Sequence, residues 1–76
     1  MSLANEIKLI RQKAFLTQEE FAKQLNVAFS TVNRWESGKI HPNITAIRKI
    51  KQFCDKNKIS FDDLQQTWLG ETDENK

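Results

Sequence analysis

Seventy-six residues, 38% hydrophobic and 29% charged, make one small domain with a thin core, since chains near this size bury little more than about 60% of the surface their unfolded form exposes. No apolar run approaches bilayer-spanning length, residues 1–10 lack the apolar stretch of a signal peptide, and the single Cys54 has no internal disulfide partner, so composition points to a soluble, cytoplasmic chain without membrane, metal or redox chemistry. The net charge of +2 conceals a division: residues 1–58 hold eleven Lys or Arg against five Asp or Glu and residues 59–76 one against five, a basic body of the kind that accompanies nucleic-acid binding without proving it.

Leu3, Ile7, Ile10 and Ala14 recur at near-helical spacing, which predicts a first helix with those residues inward. Arg11 falls on or beside that stripe, where a charge is costly unless paired. Thr17 and Glu20 form a T-x-x-E capping box for a second helix, whose Phe21, Ala22 and Leu25 share one apolar face. A turn follows at Asn26 and Val27, because Asn tolerates positive φ at modest cost.

Placed at about 100° per residue, Ala28, Val32, Trp35 and Glu36 of the third helix fall on one side. Ser30, Arg34 and Ser37 fall opposite, with Asn33 beside them and Phe29 at the amino-terminal shoulder. One face therefore anchors the helix, and the other presents hydroxyls, a carboxamide and a guanidinium in the manner of a reader of DNA base edges.

Gly38 and Pro42 mark residues 37–43 as a loop, which carries Lys39 and His41. Asn43 is expected to cap a fourth helix with the apolar stripe Ile44, Ile47, Ile50, Phe53 and Cys54, the remaining Arg48, Lys49, Lys51 and Lys56 forming a solvated basic face. Ser60 and Asp63 repeat a capping signal and place a fifth helix from Phe61 onward. Phe61 and Leu64 are expected to close the core, and Trp68 and Leu69 to offer a partner surface for a homodimer. The domain is read as residues 1–69, and residues 70–76 as a polar, disordered tail.

Residues 18–37 and their flanks resemble the repressor-type helix-turn-helix family, the small phage-repressor, Cro and Xre-like regulators. Counted from Gln18, the family pattern asks for apolar residues at positions four, eight, ten, fifteen and eighteen and a small residue at five, and Phe21, Leu25, Val27, Val32, Trp35 and Ala22 stand there. Leu16, Thr17 and Gln18 match the LTQ lead-in, and Trp35, Glu36, Ser37, Gly38 and Lys39 the W-E-x-G-K exit. The resemblance extends over residues 6–64.

It implies an all-α, compact five-helix, lambda-repressor-like domain with the helix-turn-helix at helices two and three. It further implies sequence-specific binding of double-stranded DNA, with helix three in the major groove and base contact at Phe29, Ser30 and Arg34, Asn33 lying next to them. Gln18, at the positive end of helix two, is expected to hold a phosphate. Lys39 lies where the family meets the sugar-phosphate backbone, Ser37 shares the outer face, and Thr31 offers a helix-packing or phosphate-facing hydroxyl.

The resemblance also pairs Arg11 with Glu36, which the helical angles independently place on the inward side. Phe15 departs from the pattern, which commonly has Gly there; its ring is expected to pack on the helix-one stripe. The expected role is a transcriptional regulator, with repression favoured over activation and no cofactor. The alternative is a protein-interaction module such as an antitoxin, or the targeting domain of a larger protein. An enzyme is not expected: there is one His and no nucleophile-and-base arrangement, and the adjacent Glu19 and Glu20 point about 100° apart around their helix.

Overall fold

The computed structural model describes residues 2–73 as an all-α fold of five helices: α1 (Leu3–Lys13), α2 (Gln18–Leu25), α3 (Phe29–Glu36), α4 (Ile44–Asn57) and α5 (Asp62–Asp73). Three of them start where a side-chain oxygen takes up an amide that the first turn leaves unpaired. Ser2 accepts from the Asn5 amide at 3.1 Å, Asn43 from Ala46 at 2.9 Å, and Thr17 from Glu20 at 3.1 Å, while the Glu20 carboxylate accepts from the Thr17 amide at 2.9 Å and completes the capping box. The start of α5 lies one residue beyond the expected one. Ser60 takes the Asp62 amide at 3.4 Å, and the first helical bond runs from the Gln65 amide to the Phe61 carbonyl at 2.9 Å.

The carboxyl ends share one solution. After α1, α2 and α4, a left-handed residue (Phe15 at φ 59°, Asn26 at φ 58° and Lys58 at φ 58°) is followed by an apolar one whose amide returns to a carbonyl five residues back. These are Schellman motifs: Leu16 bonds Arg11 at 3.3 Å, Val27 bonds Ala22 at 3.0 Å, and Ile59 bonds Cys54 at 2.9 Å. Leu16, Val27 and Ile59 are each partly buried against the core. Gly38, at φ 80°, ends α3 in the same way, with the Lys39 amide on the Arg34 carbonyl at 3.0 Å.

This motif corrects the expectation for Phe15. The turn sends Leu16 inward and leaves Phe15 outside, 93% exposed rather than packed on α1. A non-glycine residue in the left-handed region costs roughly 1–2 kcal/mol, and the ring recovers little of this in solvent. Phe15→Gly is expected to stabilise the domain by roughly 0.5–1 kcal/mol, glycine's extra unfolded-state entropy offsetting part of the gain. A thermal melt checks it, through a rise in Tm.

The core forms where the five apolar stripes meet. Phe21 of α2 and Phe53 of α4 stand edge to face, with ring centroids 5.1 Å apart and planes at 78°. In α4 the stripe is Ala46, Ile47, Ile50, Phe53 and Cys54, and Ile44 is 49% exposed instead of lining it. Asn43 fixes the helix start, and from there Ile44 lies about 120° from the middle of the stripe, while Ala46 falls within it.

Trp68 is drawn partly inward, while it still lines a groove between α4 and α5 with Leu69, its expected companion on a partner surface. It packs against the core, and its indole Nε1 donates to the Pro42 carbonyl at 3.0 Å, tying α5 to the loop ahead of α4. Leu69 stays 42% exposed. Helix α5 continues past residue 69 to Asp73, and residues 74–76 of the expected tail lie outside the described residues. Among the described residues no helix is long and apolar enough to cross a membrane.

Candidate nucleic-acid interface

The left-handed Asn26 turns the chain between α2 and α3, and α3 is then set by two anchors, Val32 fully buried and Trp35 3% exposed. With that face fixed, the opposite one must look outward. Ser30, Asn33, Arg34 and Ser37 are exposed there, and Phe29 is 51% exposed at the amino-terminal shoulder. Lys39 is exposed in the loop that follows.

Two of the expected site residues have local tasks. The Ser37 hydroxyl donates to the Arg34 carbonyl at 3.2 Å and so belongs to the last turn of α3. Thr31 is half-buried and lines an open groove of about 500 Å³ between α3 and the start of α4, together with Ile40, His41, Thr45 and Lys49.

Behind the outward face runs a side-chain network. Arg11 grips Glu36 through two donors, Nε to Oε2 at 2.7 Å and Nη2 to Oε1 at 2.9 Å, and its Nη1 donates to the Leu16 carbonyl at 2.8 Å. The pair is largely shielded, with side chains 13% and 4% exposed. Its hydrogen bonds to Glu36 raise the guanidinium's hold on its proton above the ordinary value, with burial opposing.

Gln18 donates from Nε2 to Glu36 Oε1 at 3.0 Å, and Asn33 donates from Nδ2 to Gln18 Oε1 at 3.2 Å. Arg11 on α1, Gln18 on α2 and Asn33 and Glu36 on α3 are thereby joined around a shallow hollow of about 200 Å³ that Lys8 and Ser37 also line. Glu36 is the hub, and its buried carboxylate leads to the exposed face through two carboxamides.

Lys49 differs from its expected place on a solvated face. It is half-buried, and its ammonium donates to the Asn26 carbonyl at 3.4 Å, at the carboxyl end of α2 where positive charge is favourable. Its position at the rim of the α4 stripe was the available signal, since a lysine there lays its stem on apolar surface and extends its charge outward. The helix-turn-helix is thus held from outside it at two places, at the end of α3 by α1 through Arg11 and at its central turn by α4 through Lys49. Among the described residues no cluster of His, Cys, Asp or Glu is arranged to hold a metal ion.

A family model described as helix-turn-helix matches residues 7–61. The chain is 36% identical over 64 residues to the HTH-type transcriptional activator BcrR of Enterococcus faecalis, across 84% of this chain and 30% of BcrR. It is 31% identical over 71 residues to antitoxin HipB of Escherichia coli, across 84% of this chain and 81% of HipB. The match to BcrR therefore spans less than a third of that protein's length. No solved structure matches the chain significantly.

Proposed function

The chain belongs to the Cro-like, Xre-type helix-turn-helix family of DNA-binding regulators, and from that premise we propose that it reads double-stranded DNA sequence-specifically with α3 in the major groove. The observation that carries the reading is the orientation of α3, with Val32 and Trp35 inside and Ser30, Asn33 and Arg34 outside. An α-helix fits the major groove, where each base pair displays its own pattern of donors and acceptors. Arg34 forks onto guanine O6 and N7, Asn33 and Ser30 meet neighbouring base edges, and Phe29 packs on a thymine methyl. Gln18 at the start of α2, Thr31, Ser37 and Lys39 flank the helix on the side of the phosphates.

Repression is the regulatory sign we assign, because a helix seated on base edges excludes other proteins from them by occupancy alone. A homodimer places two copies of α3 about one helical turn apart, roughly 34–36 Å, on a two-fold-related site. Trp68 and Leu69, which line a groove between α4 and α5 together with the half-exposed Ile44, are its candidate seam. A second reading, an antitoxin that acts through a bound protein, is favoured by the likeness to HipB along most of both chains.

Duplex binding decides the matter. Arg34→Ala is expected to cost about 1–3 kcal/mol on the preferred site and to relax one base position, whereas Lys39→Ala weakens all sequences alike and lowers the salt dependence. Equal losses on preferred and random duplexes remove Arg34 from the reading set. Absent or salt-insensitive DNA binding, together with tight capture of one protein, turns the conclusion to the antitoxin reading.

A further inference from the structure

Beyond holding a phosphate, we propose that Gln18 sets the specificity of Asn33, turning that carboxamide so that its oxygen faces the groove and selects a base edge bearing an exocyclic amino group. The inference rests on the proposed reading of DNA by α3.

The direction of the network carries it. A guanidinium only donates and an ionised carboxylate only accepts, so the Arg11 and Glu36 contacts of 2.7 and 2.9 Å fix the Glu36 carboxylate as a buried acceptor. Gln18 at 3.0 Å must therefore turn its amide nitrogen to Glu36, since the reversed carboxamide sets oxygen against carboxylate oxygen. Its own oxygen is then directed at Asn33, 3.2 Å away, and by the same reasoning Asn33 must answer with nitrogen. Two carboxamides that are ambiguous in isolation have one orientation here, imposed from the buried side. Charge at the hub strengthens the first link, and hydrogen bonds in series polarise one another.

The consequence is read in the groove. One Asn33 N–H is engaged by Gln18, which leaves Oδ1 and a single N–H for DNA. Guanine offers two acceptors in the major groove, N7 and O6, and a carboxamide with one remaining donor satisfies only one while its oxygen opposes the other. Adenine offers N7 as acceptor and N6 as donor, and cytosine offers the N4 donor, so both suit Asn33 as it is held. The adjacent Arg34 is donor-only and suits guanine. Neighbouring residues of α3 are thus assigned opposite edges, the one by its chemistry and the other by its support.

The test is selection of bound sites from random duplexes by the full chain, read base by base, for the wild type, Gln18→Met, Asn33→Ala and the double variant. Met keeps the length of Gln18 and removes both its donor and its acceptor. The expected wild-type result includes one position at which adenine or cytosine is preferred over guanine by about fivefold or more. Gln18→Met brings that position toward parity while the guanine read by Arg34 keeps its preference, and the double variant goes no further than Asn33→Ala.

The readout is a ratio between bases, which a uniform loss of phosphate contact does not move. A Gln18→Met protein that binds every sequence more weakly with that ratio unchanged overturns the inference, as does a wild-type preference for guanine at the position lost in Asn33→Ala. Gln18→Ala replaces the Met variant if the latter fails to melt cooperatively. A wild type that selects no sites overturns the reading of DNA by α3 itself, and a wild type that selects sites indifferent to Gln18 overturns only the positioning role.

Discussion

Glu36→Ala is expected to lower the unfolding free energy by about 3–5 kcal/mol, the cost of leaving one member of a buried ion pair without the other. Arg11 is only 13% exposed and has its two Glu36 contacts at 2.7 and 2.9 Å; without them it keeps its bond to the Leu16 carbonyl, which carries no full charge to balance its own. The Gln18 amide loses its acceptor at the same time. Small domains hold about 5–15 kcal/mol in total, so this single change takes much of the reserve.

Urea denaturation measures the loss. The double variant Arg11→Met with Glu36→Ala is expected to recover a large part, because removing both charges leaves no ion stranded. A loss below about 1 kcal/mol for Glu36→Ala shows instead that the guanidinium reaches water and that the pair behaves as an exposed one.

Phe21→Ala has a comparable expected effect, about 3–5 kcal/mol, through a different mechanism. Phe21 is fully buried, and its ring meets Phe53 edge to face at 5.1 Å, so truncation removes transfer energy and leaves a void between α2 and α4. Phe21→Leu fills most of that space and is expected to cost distinctly less. The two denaturation midpoints, taken with binding measured well below each Tm, separate stability from recognition. Phe21 lies behind the interface, so its folded variants are expected to keep the wild-type base preferences, in contrast to Arg34→Ala.

The helix-turn-helix was legible because its signals are local. Thr17 and Glu20 lie three residues apart, Asn26 suits a left-handed turn, and Val32 and Trp35 share a face by helical period alone. The Arg11 and Glu36 pair spans 25 residues and was legible only through family resemblance, with the helical angles in agreement.

What was not legible has a common cause. Phe15 and Lys58 adopt left-handed backbone although neither residue prefers it, hinted at for Phe15 only by the Gly common there in the family, because the returning amide and the inward Leu16 or Ile59 determine the turn. The Trp68 bond to Pro42 and the Lys49 bond to Asn26 join positions 26 and 23 residues apart, and such contacts leave no periodic trace. The link from Asn33 to Gln18 is of the same kind, formed only once α2 and α3 are packed.

Cys54 shows what a thin core still accomplishes. Its side chain has no exposed surface, and burial, with the nearby Asp55 carboxylate adding to it, pushes the thiol up to about 11. At neutral pH the folded form therefore hides a protonated, unreactive sulfur from electrophiles and oxidants, and only molecules that open can be alkylated. Between about pH 9 and 11 the unfolded chain gives up this proton before the folded one does, so alkaline conditions draw the population toward the open state.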